Sequence, residues 1–429
     1  MSWFGNEVSF RDTAQLDAFS RLRVSNAFTL FDSQQEYGLD TRTSWDATAN
    51  GVALAAASSN GSVSNASCSV GPRNSNSRMV PLTISTVSGQ YVVLQSRQYT
   101  RYIPGKSHLI LMTGVFSPGT VANTDARVGY FDAFNGVFLK VTNGAASFVR
   151  RTSTSGSVSD SDAYAQASWN IDPFDGTGPS GITLDLTKTQ ILFIQAQWLG
   201  VGRVTVGFDI DGKLYPAHEF LHANVLTLPY TQSFNLPVRM EMRNTGTSVG
   251  GTINFICCSV QSEGGQEVRG FPFAASRGVT RVGVTTRRPV FSIRPKATYN
   301  SLTNRAHIEL AEYFLNATTN NALYEVVIGG TLTGASFASV ATDSVVESDT
   351  AATAISGGTT VTAGYVIAGF GASSGAGVGG QVDIRNPLVL QQIDALTSIA
   401  VQTPISIVCT SESGTSNILA GMNWHEQVI

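Results

Sequence analysis

Short β-prone runs bounded by Gly, Pro or Ser follow one another through the first two-thirds of this chain, with no amphipathic helical segment between them. Runs at 82–84, 91–94, 108–112, 136–141, 191–194 and 204–210 all have this form. The last alternates cleanly and runs into Asp211-Gly212, a two-residue hairpin signal. Closely spaced strands without intervening helices exclude α/β and helical-bundle folds. They predict an all-β chain whose body is a jelly-roll-like antiparallel β-sandwich.

Charged residues make up only 13% of the 429 residues, about half the usual share, while 42% are apolar. That balance excludes a disordered chain. The boundaries read as an extended N-terminal arm over 1–40, a sandwich over 41–267, an Arg-rich linker over 268–296 and a second β-sandwich domain over 297–429. In the arm, Phe19, Leu22, Phe28 and Phe31 follow no single period, so the arm must lie on another surface, either its own domain or a neighbouring subunit. One helix is expected in the C-terminal domain, over 305–316, with Ile308, Leu310, Phe314 and Leu315 as its apolar positions. The first residues have neither the basic start nor the apolar core of a secretory signal. No apolar run approaches the ~20 residues of a transmembrane helix. Cys68, Cys257, Cys258 and Cys409 have no metal-knuckle spacing, and reduced, buried thiols are expected.

The net charge of -3 hides a divide. Residues 306–429 hold one basic residue against ten acids, while the preceding 305 hold 26 basic against 20 acidic. Eight basic residues and no acid occupy 268–308. This stretch reads either as a docking surface for an acidic protein partner or as a solvated linker whose arginines pair with acids elsewhere in the chain. No nucleic-acid reader motif accompanies it, so no specific nucleic acid is expected.

His218-Glu219-Phe220-Leu221-His222 matches H-E-x-x-H literally. On a helix that spacing places two imidazoles on one zinc. Here the segment follows a hairpin and Leu214-Tyr215-Pro216, so it reads as strand, where residues four apart are separated by roughly 13 Å. Asn170-Ile171-Asp172-Pro173-Phe174-Asp175-Gly176 gathers oxygens that suit either calcium or a simple turn. Asp172 or Asp175 with Glu219 or Glu241 are the nominal carboxyl pairs for a glycosidase, though nothing in the spacing brings two of them together. Trp169 and Trp198 suit either the core or a sugar platform. Gly375-Ala376-Gly377-Val378-Gly379-Gly380 lacks the strand-loop-helix setting of a dinucleotide loop. No catalytic residue, cofactor or metal is expected.

Several stretches resemble a family of virion structural proteins of tailed bacteriophages. They are Asp17-Ala18-Phe19-Ser20-Arg21-Leu22-Arg23-Val24-Ser25-Asn26 with Phe28-Thr29-Leu30-Phe31-Asp32-Ser33, Tyr102-Ile103-Pro104-Gly105-Lys106-Ser107, Gln197-Trp198-Leu199-Gly200-Val201-Gly202-Arg203, Asn235-Leu236-Pro237-Val238-Arg239-Met240-Glu241, and Cys258-Ser259-Val260-Gln261-Ser262-Glu263-Gly264-Gly265. The resemblance covers roughly residues 10–270. It implies a β-sandwich body, several copies per particle and no enzyme activity. The expected protein is a non-enzymatic homo-oligomer, taken as a trimer, made in the host cytoplasm and attached to other virion proteins of the head, neck or tail. Phe19, Arg21, Leu22, Arg23, Phe28 and Phe31 of the arm and Arg277, Arg281, Arg287, Arg288 and Arg294 of the linker are the expected contacts. The alternative is a receptor-recognition spike or fibre that binds host surface glycans. No membrane partner is expected.

Overall fold

The computed structural model describes residues 27–41, 44–53, 61–65, 67–264, 270–369, 371–373, 388–390 and 401–427. They form an all-β protein whose strands pair antiparallel throughout, with a short 3-10 turn at Gln166–Ser168 and no α-helix among the described residues. Among the described residues no helix is long and apolar enough to cross a membrane. The described residues part into two compact units near residues 267 and 268.

The first unit is a jelly-roll-like sandwich. One sheet runs Lys213–Phe220, Val204–Ile210, Gln190–Ala196, His108–Val115, Gly251–Ser262, Val80–Ile84, Cys68–Val70 and Val63–Asn65, with Phe28–Gln34 added alongside Gly251–Ser262. The second runs Ser159–Ala165, Ala145–Thr152, Gly136–Thr142, Thr124–Phe131, Val238–Asn244, Tyr91–Ser96, Trp45–Ala49 and Val52–Ala53. Alternation explains the layering. Ala126, Val128 and Tyr130 face the shared core, as do Val238, Met240 and Met242 from the neighbouring strand. Leu82, Ile110, Ile194, Val206 and Phe255 meet them from the other sheet.

Of the stretch expected as an arm, residues 1–26, and with them Phe19, Arg21, Leu22 and Arg23, lie outside the described residues. Phe28–Gln34 is a strand of the first sandwich itself, registered from Phe28 opposite Ser262 to Gln34 opposite Cys257. Phe31 is buried against Trp45, so this part of the arm packs on its own domain.

The second unit is another antiparallel sandwich. One sheet includes Phe271–Ser276, Ser416–Gln427 and His307–Ala317, with Val282–Val284 also on Ser416–Gln427. The other is ordered Ala338–Ser339, Val346–Asp349, Arg288–Pro295, Ile405–Ser411, Ala322–Ile328 and Thr359–Val366. Two expectations are corrected here. The Arg-rich stretch 268–296 is no linker, because it supplies three strands of this unit. The expected helix over 305–316 is the strand His307–Ala317, paired along its length with Ser416–Gln427. A register shift between Leu310 and Glu312 changes which parity faces inward, so Ile308, Leu310, Tyr313 and Leu315 are all buried. That bulge imitates helical spacing in the sequence. The Gly375–Gly380 motif lies outside the described residues.

Candidate functional site

The strand register sets one end of the first sandwich. Phe28 lies opposite Ser262, Ser262 opposite His108, His108 opposite Ala196, Ala196 opposite Val204, and Val204 opposite Phe220. The segments before and after these residues therefore meet at a single end. Tyr102 anchors the meeting: its backbone N–H donates to Asn235 Oδ1 at 2.8 Å, and its hydroxyl accepts the Leu199 N–H at 3.3 Å. Its ring packs edge-on against His108, Trp198 and Phe234. The Glu263 N–H donates to the Ser107 carbonyl at 2.8 Å, while its carboxylate accepts the Ser107 hydroxyl and the Gln195 amide. Thr100 and Leu236 form an isolated bridge beside them.

Two loops form the outer surface of this end. In 197–203, Gly200 takes a φ of +77°, and Gly202 lies so close to the Gln197 carbonyl that a Cβ would fall 1.7 Å from it. In 221–230, the Tyr230 N–H donates to the Gly200 carbonyl at 2.9 Å, which joins the loops. The second junction is His222, whose Nδ1 donates to the Gly202 carbonyl at 2.6 Å and whose ring stacks on Tyr230 at 4.0 Å.

The H-E-x-x-H segment serves this packing. His218 and Glu219 lie in the strand Lys213–Phe220, and His222 lies beyond its end. His218 Nδ1 accepts the Asn170 N–H at 3.2 Å, and its ring lies 4.3 Å from that of Tyr164. Burial lowers its pKa to about 4, so the ring is neutral. Glu219 pairs with Arg203 at 3.0 Å and accepts the Thr205 hydroxyl. Among the described residues no group of three His, Cys, Asp or Glu side chains is placed to hold a metal ion.

The other nominated groups are engaged in local structure. Asp172 accepts the backbone N–H groups of Phe174 and Ser180, and Asp175 accepts both the N–H and the hydroxyl of Thr177. Asn170 exchanges hydrogen bonds with the Glu219 backbone. These oxygens hold a turn. Trp169 is buried 4.7 Å from Phe148, and Trp198 is half-buried with its indole N–H on the Thr231 hydroxyl.

Glu241 belongs to a constellation that motif reading missed. On the sheet face turned away from the main core, it is fully buried opposite Arg127 and beside Arg239 and Arg243, with contacts of 3.1, 2.7 and 3.3 Å. Burial opposes its charge, but Arg239, Arg243, Arg127 and Arg151 outweigh that cost and hold the carboxyl well below the usual range. The guanidiniums of Arg127, Arg151 and Arg239 lie over the rings of Phe131 and Phe138. Asp125 and Asp160 complete the charge pairing. The signal was the alternation Val238-Arg239-Met240-Glu241-Met242-Arg243, which marks a strand with one apolar and one ionic face.

The expected contact arginines bond within their own unit. Arg287 pairs with Glu325 at 2.7 Å, and Arg294 pairs with Glu347 at 2.5 Å while lying over the Phe337 ring. Arg277 donates to the carbonyls of Val290 and Thr350, Arg281 to that of Asn316, and Arg288 to that of Gly283. The basic and acidic stretches on either side of the charge divide are thus complementary within one unit.

No protein-family model matches the chain, and no curated protein matches it. Among solved structures it is similar to a Shewanella oneidensis protein of unknown function, at 11% identity over 55% of this chain and 94% of that chain, with a TM-score of 0.32. It is also similar to the exoplasmic/lumenal domain of VIP36, at 9% identity, 56% and 92% coverage and a TM-score of 0.27. Peanut lectin stands at 9% identity, 56% and 98% coverage and a TM-score of 0.25. At these scores the similarity assigns neither family nor ligand.

Proposed function

We propose that this chain is a non-enzymatic structural protein of a tailed-bacteriophage virion, a homo-oligomer attached at the head, neck or tail. One observation supports the reading. Four of the five stretches that carry the family resemblance bond to one another at one end of the first sandwich through Tyr102, Asn235, Leu199, Ser107 and Glu263, and the described part of the remaining stretch joins them where Phe28 pairs opposite Ser262. What the resemblance shares is therefore a built structural end of the sandwich. The groups there that have chemical potential, His218, Glu219 and His222, are used as packing and hydrogen-bonding elements. The glycan-binding alternative has less support. Among the described tryptophans, Trp45, Trp169 and Trp424 are buried and Trp198 is half-buried, leaving no open indole platform.

Mass spectrometry of purified particles, followed by gold labelling with an antibody to residues 306–429, tests the proposal. Peptides from this chain and label at the head, neck or tail body are expected. Absence of its peptides from particles would refute the virion role, and label confined to distal fibre tips would move the reading to receptor recognition.

A further inference from the structure

A strand at the edge of a sheet presents unpaired backbone N–H and C=O groups to any strand that can reach it, and folded proteins blunt such edges. Most edges of this protein are blunted. Ser159–Ala165 carries Asp160 and Asp162, and Phe28–Gln34 carries Asp32. Lys213–Phe220 carries Lys213, Pro216 and Glu219, and Asn170 occupies the Glu219 backbone with two hydrogen bonds. Phe271–Ser276 contains Pro272. Others, such as Val52–Ala53, Val63–Asn65 and Ala338–Ser339, run only two or three residues.

Thr359–Val366 has none of these protections. It is eight residues long and last in its sheet, paired with Ala322–Ile328 on one side and with no strand on the other among the described residues. It contains no Pro, and 350–382 contains no Asp, Glu, Lys or Arg. Val361, Ala363 and Tyr365 alternate on its exposed face, and Leu323, opposite Tyr365 on the neighbouring strand, is exposed beside them.

The neutrality of this edge indicates its occupant. When a strand pairs antiparallel with its own copy, a twofold axis sets each residue against another residue of the same strand. A charge there would meet like charge at close range, which destabilises the pair. A strand without charges avoids that cost, whereas a partner of different sequence would not require it. Directly opposed residues share a face, so the axis must pass through a residue rather than between two. An axis at Ala363 sets Val361 opposite Tyr365 of the partner subunit, twice by symmetry. Aromatic and β-branched side chains form a favourable cross-strand pair, and here they continue the Leu323–Tyr365 strip across the axis.

We infer that Thr359–Val366 pairs antiparallel with the same strand of a second copy about a twofold axis at Ala363, joining two six-stranded sheets into one. A twofold contact builds dimers, or larger even-numbered assemblies where a second interface also operates. The inference rests on the homo-oligomeric part of the proposed function and on no other part of it.

Disulfide trapping in the full chain tests the pairing and its register. Opposed residues have Cα atoms about 5 Å apart, within reach of a disulfide. Ala363→Cys should therefore form a covalent dimer in oxidised glutathione. Thr359→Cys should not, because eight residue spacings, roughly 26 Å, would separate it from its own copy. The parent, whose Cys68, Cys258 and Cys409 are buried, supplies the background. Sedimentation equilibrium should give the parent twice the 45.4 kDa of one chain, or a larger even multiple. Val361→Lys should raise the dissociation constant of this contact about tenfold, because two symmetry-related pairs are lost. No excess of disulfide at 363 over 359 in a chain that remains oligomeric would overturn this pairing and leave the homo-oligomer standing. A parent that sediments as a monomer would overturn both. Unchanged association of a folded Val361→Lys chain would also refute the pairing.

Discussion

Acidification should destabilise the first unit through His108, and the size of the effect follows from where that ring lies. His108 is fully buried among the rings of Tyr102, Tyr130 and Phe234, with centroids 5.4, 6.3 and 6.2 Å away. Desolvation lowers its pKa to about 4, against 6.5 for the free side chain. Between those values the unfolded chain binds a proton that the native state refuses. The stabilising contribution is therefore complete above pH 6.5 and is lost progressively as the pH falls toward 4. Linkage gives a loss of about 2 kcal/mol between pH 7.5 and pH 5 from this one group. Urea unfolding read by amide exchange of peptides from 108–115 isolates the first unit, and the difference between the parent and His108→Phe isolates His108 from His218 and His222. The variant should lose about 2 kcal/mol less over that pH range. In protein with labelled histidine, the His108 ring should remain neutral down to pH 5. An His108 titration midpoint near 6.5, or parallel acid slopes in parent and variant, would refute the reasoning.

Removing the Glu241 carboxylate should be among the most costly substitutions in the first unit. Glu241→Ala leaves buried guanidiniums without their counter-charge and is expected to cost about 3–5 kcal/mol by urea unfolding, whereas a cost below 1 kcal/mol would deny the cluster its role. Burial raises the Cys409 thiol pKa to about 12, so Cys409 should resist alkylation in the native protein at pH 8 and react only after unfolding. Arg287→Ala should cost only about 0–1 kcal/mol, because the Arg287–Glu325 pair is part-exposed, and a loss of several kcal/mol would mean a more deeply coupled pair.

The fold was legible wherever alternation was strict. The run at 204–210 and its Asp211-Gly212 turn became the hairpin of Val204–Ile210 and Lys213–Phe220, with Ile210 opposite Lys213. Reading failed where irregularity broke the period. The bulge at Leu310 and Glu312 moved buried positions from even to odd numbers and so imitated a helix. The 268–296 stretch failed for a different reason. Its arginines suggested a solvated connector, but their partners, Glu325 and Glu347, come from strands 38 and 53 residues downstream, and local composition carries no record of such pairs.

The candidate site was only half legible, and the missing half is a matter of register. Tyr102, Leu199, Asn235 and Glu263 could each be picked out within a recognisable stretch, yet nothing in any one stretch says that they meet. Their meeting requires the row from Phe28 through Ser262, His108, Ala196 and Val204 to Phe220, which depends on five strand pairings at once. A slip of one residue in any pairing would turn a strand's core face outward, so the burial of Ile110, Ile194, Val206 and Val260 enforces that row. The core thereby determines which loops share an end, and those loops send Tyr230 into the core while Leu199, Val201, Leu221, Val225 and Leu228 remain exposed. For the same reason, substitutions at the exposed Leu221 or Val225 should leave the sandwich folded, whereas substitutions at the buried Val206 or Ile194 should not.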